Sequence, residues 1–149
     1  MRRIDGYPLW VGNARDARDM KRVLDAGIEA VVDLAMLQPP AVPIRELVYL
    51  RFPLVDGEGN PPWLLSVAVR TVGELLRYGV PTLVACDAGM SRSLAVAAGA
   101  LCGISPPTPP GEFLRRLAAA GPADVHPALW DDVKRGVGPA NEPWYRPRD

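Results

Sequence analysis

One segment, residues 80–93, constrains the fold more than any other part of the chain. Its apolar start, residues 80–85, is predicted to be a short strand that leads into Cys86 and a small loop. Arg92 and the residue after it then open an alanine-rich helix, and Gly89 lies in the middle of the loop, where backbone can take a positive φ or approach a ligand closely. A strand, a tight loop and a helix in this order predict a ligand loop at the carboxyl end of a central strand of an α/β sheet.

The residues of this loop are suited to binding an anion next to a nucleophile. Backbone N–H groups at a helix N-terminus, together with the helix dipole, attract negative charge. The Arg92 guanidinium can contact two anion oxygens at once. The same positive field favours the thiolate of Cys86. The pattern therefore predicts phosphoryl transfer to sulfur; the alternative is a buried structural cysteine that happens to precede an arginine at a helix start.

The loop resembles the signature of the dual-specificity phosphatases, the compact branch of the cysteine-dependent protein tyrosine phosphatases. That family's pattern is His-Cys-x-x-Gly-x-x-Arg-Ser/Thr, and residues 85–93 read ACDAGMSRS. Residues 4–34 resemble the family's opening hairpin, first helix and second strand, and the VHPALW segment resembles the start of its last helix. The resemblance implies a phosphocysteine intermediate, with Ser93 hydrogen-bonding the sulfur as it leaves. The implied substrate-binding residues are the loop itself: Asp87, Ala88, Gly89, Met90, Ser91 and Arg92.

Two departures from the family pattern affect the nucleophile. Ala85 replaces the family's histidine, which helps to hold the loop and the thiolate. Asp87 places a carboxylate next to Cys86, and this would raise the pKa of the thiol if the carboxylate points inward. The alternative is that Asp87 faces solvent or caps a backbone amide. These departures favour a second hypothesis, a phosphate-recognising binding module (a pseudophosphatase) with little turnover.

A general acid is needed to protonate the leaving oxygen. In the family this acid is an aspartate about thirty residues before the cysteine, and Asp56 lies 30 positions before Cys86. A predicted strand runs into Asp56, glycines follow at 57 and 59, and Pro61-Pro62 lead into a helix. Asp56 is therefore the predicted acid, with Glu58 as the second candidate. The alternative is that Asp56 is only a turn residue, since Asp-Gly is a strong turn dipeptide.

Composition limits the partners. The 149 residues suit one domain, with residues 139–149 predicted to be a loosely packed tail. Seventeen basic and seventeen acidic residues leave no net charge, so neither nucleic acid nor a membrane is expected as a partner.

His126 is the single histidine, so the chain cannot form a histidine-based metal cluster or a Ser-His-Asp triad. We expect no metal and no cofactor, a monomer, and a cytoplasmic location because no signal-peptide pattern is present.

The expected substrates are phosphorylated proteins or small phosphomonoesters. The short chain leaves no obvious deep phosphotyrosine-recognition loop, so phosphoserine and phosphothreonine are expected beside phosphotyrosine. The loop contains no lysine, which disfavours polyanionic lipids. Phosphosugars and nucleotides stay open as substrates.

The remaining features have structural interpretations. Cys102 falls on an apolar helix face, where a free cysteine is usually core packing. The resemblance leaves open a back-up disulfide between Cys102 and Cys86. The proline-rich residues 105–110 are predicted to be a rigid connector, with a polyproline recognition segment as the alternative.

Hydrophobic periodicity predicts a mostly parallel sheet covered by helices on both faces. Residues 4–11 are predicted to form an edge strand or a hairpin. The other predicted strands are 28–35, 47–54 and 80–85. Helices are predicted from an N-cap at Asn13 to residue 26, with Gly27 ending that helix, and over 63–78, 91–102, 111–120 and 127–136.

Overall fold

The computed structural model describes residues 1–105 and 107–136, and these contain one five-stranded sheet. The strands are β1 (Arg2–Ile4), β2 (Leu9–Asn13), β3 (Ala30–Asp33), β4 (Val48–Arg51) and β5 (Thr82–Cys86). Their order across the sheet is β1-β2-β5-β3-β4. Only the edge strand β1 runs antiparallel to its neighbour, so the predicted mostly parallel sheet is confirmed for the described residues.

Helices cover both faces of this sheet, as predicted. They are α1 (Met20–Asp25), α2 (Pro62–Arg77), α3 (Arg92–Ile104), α4 (Pro110–Ala119) and α5 (Pro127–Gly136). On one face, Val23 of α1 packs in a small cluster with Leu83 and Ala85 of β5. On the other face the larger core joins Val84 and Cys86 of β5 to side chains of α2, α3, α4 and α5. The result is a three-layer α/β arrangement.

The central position of β5 places Cys86 at one edge of the sheet. All five residues of β5 are buried, and β5 pairs in parallel with β2 on one side and β3 on the other. Side chains alternate between the two faces of a strand. Cys86, the last residue of β5, therefore faces the α3 layer, directly before the loop that leads into α3.

The helix predicted over residues 13–26 is in fact two short pieces. Residues Asp16–Arg18 form a 3-10 turn, and the α-helix starts only after Asp19. Asp19 takes φ −84° and ψ 80°, and its carboxylate accepts the N–H of Arg22 at 3.0 Å. Asp19 therefore caps α1 by itself. Asn13, the predicted N-cap, is the last residue of β2, and its Oδ1 accepts the N–H of Asp16 at 3.0 Å, at the start of the 3-10 turn rather than of α1.

The other predicted elements are present with shifted ends. Of the two alternatives for residues 4–11, the hairpin is confirmed, with β1 and β2 as its strands. The strands predicted over 28–35 and 47–54 are shorter than predicted. Gly27 has φ +72° and follows α1, as predicted for a terminating glycine. The predicted tail 139–149 lies outside the described residues, as does one residue of the proline-rich segment. In the described part of the chain, no helix is both long enough and apolar enough to cross a membrane.

Candidate active site

The Cys86 sulfur lies at the bottom of the loop between β5 and α3. Its side chain is almost completely buried, with 1% of its surface exposed. The Gly89 N–H donates to Sγ at 3.2 Å, and the hydroxyl oxygen of Ser93 lies 3.3 Å from Sγ on the other side. The Cys86 thiol donates to that Ser93 oxygen, so the sulfur lies between a donor and an acceptor. The structure thus brings together Cys86 and Ser93, as the sequence predicts.

Gly89 is required by the shape of the loop. Its φ is +74°, a conformation that residues with a Cβ adopt only with strain. A Cβ built on Gly89 would lie 2.8 Å from the carbonyl carbon of Gly12 and 2.9 Å from the nitrogen of Asn13. The loop therefore packs directly on the backbone at the end of β2. The predicted positive φ is confirmed, and the close approach that the structure shows is to the backbone of β2.

Arg92 is the first residue of α3, and its side chain is 7% exposed. One terminal nitrogen, Nη1, donates to the carbonyl of Leu54 at 2.9 Å and lies 2.7 Å from Oδ2 of Asp87. Nε of Arg92 is buried and has no hydrogen-bond partner among the described residues. A buried donor without an acceptor is unfavourable. An oxyanion in the loop would supply that acceptor.

Asp87 is oriented toward Arg92 and two backbone amides. Its carboxylate accepts the N–H of Met36 at 3.1 Å and the N–H of Leu37 at 3.2 Å, besides pairing with Arg92. Burial opposes ionisation, but the Met36 N–H, the Arg92 guanidinium and the Leu37 N–H together hold the pKa of Asp87 below its ordinary value. The predicted alternative of amide capping is confirmed. The ion pair with Arg92 is an additional feature that the sequence did not reveal.

Ala85, which stands where the family has histidine, contributes no polar group. It is fully buried on the sheet face opposite Cys86, in register with Gly12 on β2 and Asp33 on β3. No side-chain donor can reach the sulfur from this position. The contacts to Sγ come from Gly89 and Ser93 instead.

Asp56 lies against the loop through a single hydrogen bond. The Ser91 hydroxyl donates to Oδ1 of Asp56 at 2.5 Å, and the same Ser91 oxygen accepts the N–H of His126 at 3.0 Å. The side chain of Glu58 is exposed and has no hydrogen-bond partner among the described residues. Of the two acid candidates, Asp56 is therefore the one whose carboxylate contacts the anion loop.

Asn60 shapes the acid loop, a role that the sequence reading missed. It is 8% exposed, and its amide oxygen accepts the N–H of Val55 at 2.8 Å. Its amide nitrogen donates to the carbonyl of Val55 at 2.9 Å and to that of Gly57 at 3.3 Å. The available signal was an asparagine between Gly59 and Pro61, where a polar side chain is suited to bonding nearby backbone.

The turn before α5 packs on both loops of the site. Met90 accepts the N–H of Asp124 at 2.9 Å through its carbonyl. A Cβ on Gly57 would lie 3.5 Å from Nε2 of His126, so the exposed imidazole lies next to the acid loop. Nδ1 of His126 accepts the N–H of Ala128 at 3.3 Å. The position of His126 near the site was not predicted, because no local sequence pattern links it to Asp56.

The loop residues predicted to bind substrate divide into two groups. Ala88 and Met90 are exposed at the rim of the loop, whereas Gly89 and Ser91 are buried in its structure. Met36 and Leu37, whose amides bind Asp87, add further exposed apolar side chains nearby. In the described parts of the chain, no three histidine, cysteine or acidic side chains cluster as a metal site.

The back-up disulfide between Cys86 and Cys102 is absent. Both cysteines are free. The Cys86 sulfur lies by Ser93 at the start of α3, and Cys102 follows Ser93 by nine residues on the same helix. Nine helical residues span about 14 Å, well beyond the reach of a disulfide. Cys102 is partly buried and packs against the larger core, as predicted.

No protein-family model matches the chain, and no curated protein sequence matches it at a significant level. Solved structures do match. Human DUSP28 is 23% identical with a TM-score of 0.76, covering 89% of this chain and 92% of its own. DUSP15 is 20% identical with a TM-score of 0.78, covering 92% and 86%. A mouse putative dual specificity phosphatase, solved with zinc tungstate, is 25% identical with a TM-score of 0.75, covering 87% and 81%.

These matches confirm the resemblance to dual-specificity phosphatases at the level of the fold. The similarity extends over most of both chains in each comparison. The predicted compact α/β phosphatase fold is therefore correct. At identities of 20–25%, these matches establish the architecture around the loop. The activity of this chain has to be argued from its own residues.

Proposed function

We propose that this chain is a cysteine phosphatase that hydrolyses phosphomonoesters through a phosphocysteine intermediate. One observation carries the proposal. A buried cysteine sulfur contacts a loop amide and the Ser93 hydroxyl, in the same loop whose Arg92 has a buried Nε without a partner. A nucleophile and a buried guanidinium donor within one loop suit phosphoryl transfer.

The first step transfers the phosphoryl group to sulfur. The thiolate of Cys86 attacks phosphorus in line with the leaving oxygen, so the S–P bond forms as the P–O bond breaks. Arg92 and the loop amides hold the non-bridging oxygens and carry the charge stabilisation, so no metal ion is required. Asp56 gives its proton to the departing oxygen. Its hydrogen bond to Ser91 supports this role because it holds the carboxyl beside the loop.

The second step releases phosphate. Asp56, now a carboxylate, takes a proton from water while the water oxygen attacks phosphorus. The S–P bond breaks and its electron pair returns to Cys86 as thiolate. The Ser93 hydroxyl, 3.3 Å from Sγ, supplies a hydrogen bond to that developing charge.

The proposed substrates are phosphotyrosine and phosphoserine or phosphothreonine in proteins, together with small phosphomonoesters. The apolar rim formed by Ala88 and Met90, with no lysine in the loop, favours a singly phosphorylated group over a polyanionic one. A reducing compartment such as the cytoplasm suits a nucleophile that must remain a free thiol.

Hydrolysis of para-nitrophenyl phosphate tests the proposal, measured with and without EDTA. Turnover should survive EDTA and disappear in Cys86→Ser, while the circular dichroism spectrum stays unchanged. Arg92→Lys should also be severely impaired, because a point charge cannot reproduce the planar two-pronged contact. Turnover retained by Cys86→Ser within a few-fold of wild type would refute the thiolate mechanism.

A second candidate function is a phosphate-recognising module with little turnover. The observation that favours it is the ion pair at 2.7 Å between Asp87 and Arg92, which offsets part of the positive charge that an incoming phosphate meets. The same assay distinguishes the two functions. Phosphopeptide binding without turnover on any phosphomonoester would support the module.

A further inference from the structure

We propose that Asp87 is a positioning residue for Arg92, holding one terminal nitrogen so that the opposite edge of the guanidinium faces the bound oxyanion. This inference rests on the proposed function. It assigns a role to the loop position directly after the nucleophile, at which a carboxylate would otherwise only repel the substrate.

The polar contacts of Arg92, one hydrogen bond and one ion pair, divide its guanidinium into two edges. Nη1 is bound twice, to the Leu54 carbonyl at 2.9 Å and to Asp87 at 2.7 Å. Nε is buried and unpartnered among the described residues. Because the guanidinium is planar and rigid, fixing Nη1 at two acceptors fixes the direction of the Nε–Nη2 edge. That edge is the one left to bind two oxygens of a phosphoryl group side by side.

Asp87 can act as an anchor because it is itself held in place. Two backbone amides, of Met36 and Leu37, donate to its carboxylate at 3.1 and 3.2 Å. Its own carbonyl accepts the N–H of Ala14 at 3.3 Å. The side chain is 14% exposed, so water competes little for these contacts. The carboxylate therefore links the segment after β3 to the guanidinium across the loop.

Positioning and simple charge repulsion predict opposite results. If Asp87 positions Arg92, removing its carboxylate weakens oxyanion binding, although a negative charge is lost. If Asp87 only repels the oxyanion, removing the carboxylate strengthens binding. The sign of the change therefore decides between the two roles.

The test is tungstate binding to the purified protein by calorimetry, with para-nitrophenyl phosphate turnover measured in parallel. Asp87→Ala should weaken tungstate binding by roughly 10- to 100-fold, the range for losing a hydrogen bond to a charged group. Asp87→Glu should recover part of that loss because it restores a carboxylate. The matched control is Asp5→Asn, which removes an exposed carboxylate from the turn between β1 and β2. It should bind tungstate as tightly as wild type, or slightly more tightly.

A double-mutant cycle with Arg92→Lys shows whether Asp87 acts through Arg92. The loss caused by Asp87→Ala should disappear, or reverse to a gain, once position 92 is lysine. Equal losses in both backgrounds, or tighter binding by Asp87→Ala in the wild-type background, would overturn the inference. Failure of the proposed function looks different, because the wild-type protein would then show no turnover of any phosphomonoester, whether or not it binds tungstate.

Discussion

Ser91 joins the two halves of the candidate site: its hydroxyl donates to Oδ1 of Asp56 at 2.5 Å, across 35 residues of sequence. The same oxygen accepts the N–H of His126 at 3.0 Å, so Ser91 fixes both the acid loop and the turn before α5. In the proposed mechanism Oδ2 of Asp56 carries the proton for the leaving group, because Oδ1 is occupied in this way.

Removing that hydroxyl should impair the acid without affecting the nucleophile. We expect Ser91→Ala to lower kcat roughly 10-fold on alkyl phosphates, the upper end of the scale for one hydrogen bond. The alkylation rate of Cys86 by iodoacetamide should stay unchanged. Ser91→Thr keeps a hydroxyl and is the matched control. An equal loss of kcat in both variants would show that packing rather than the hydrogen bond matters at this position.

Asp56 itself should show the leaving-group dependence of a general acid. Asp56→Asn should reduce turnover by roughly two to three orders of magnitude on substrates with poor leaving groups. The loss should shrink on aryl phosphates whose leaving group needs little protonation. Glu58→Gln serves as the comparison, since its side chain is exposed and unpartnered in the described structure. A larger loss in Glu58→Gln, or an equal loss for Asp56→Asn on both substrate types, would assign the acid to another residue.

Asn60 should matter for both stability and catalysis. Asn60→Ala removes three hydrogen bonds to the backbone of Val55 and Gly57. We expect the free energy of unfolding to fall by about 1–3 kcal/mol, because buried backbone groups lose their partners. Turnover should fall more on alkyl than on aryl phosphates, as expected when Asp56 is misplaced. Urea denaturation measures the first effect, and an unchanged unfolding midpoint would contradict this role for Asn60.

The lowered pKa of Asp87 predicts how stability depends on pH. Although burial opposes ionisation, the Met36 N–H and the Arg92 guanidinium favour the carboxylate in the folded state. Its contribution to the free energy of unfolding is therefore fully present above its unfolded pKa of about 3.9, and it is lost as pH falls through the lower folded pKa. The difference in free energy of unfolding between wild type and Asp87→Asn, measured in urea, should shrink as pH falls below about 3.9 and through the lower folded pKa. A stability difference that widens toward acid pH would contradict this assignment.

The sequence was sufficient for the parts of the site that depend on local order. Residues 86–93 connect the end of one strand to the start of one helix. The contacts of Cys86 with Gly89 and Ser93 therefore form within one short segment. Gly89 was predictable because only glycine suits its φ of +74° and its contact with Gly12. The alternation of strands and helices likewise predicted the parallel sheet.

Contacts between distant segments could not be predicted in this way. The pairing of Asp87 with Arg92 depends on amides at residues 36 and 37, which no pattern in the sequence connects to the loop. The approach of His126 to the acid loop depends on where α5 packs. The first predicted helix is broken because Asp19, with its non-helical backbone angles, caps α1. Asparagine and aspartate are equally good N-caps, so the sequence did not favour Asp19 over Asn13.

Detection of phosphate on Cys86 tests the central claim most directly. Asp56→Ala should slow hydrolysis of the intermediate, because no carboxylate then activates water, while an aryl phosphate still transfers its phosphoryl group to sulfur. After acid quench and peptide mass spectrometry, the peptide containing Cys86 should carry the mass of one phosphoryl group, and Cys86→Ser in the same background should carry none. Turnover of the aryl phosphate by wild type with no phosphate ever found on Cys86, or phosphate found on another residue, would contradict the account.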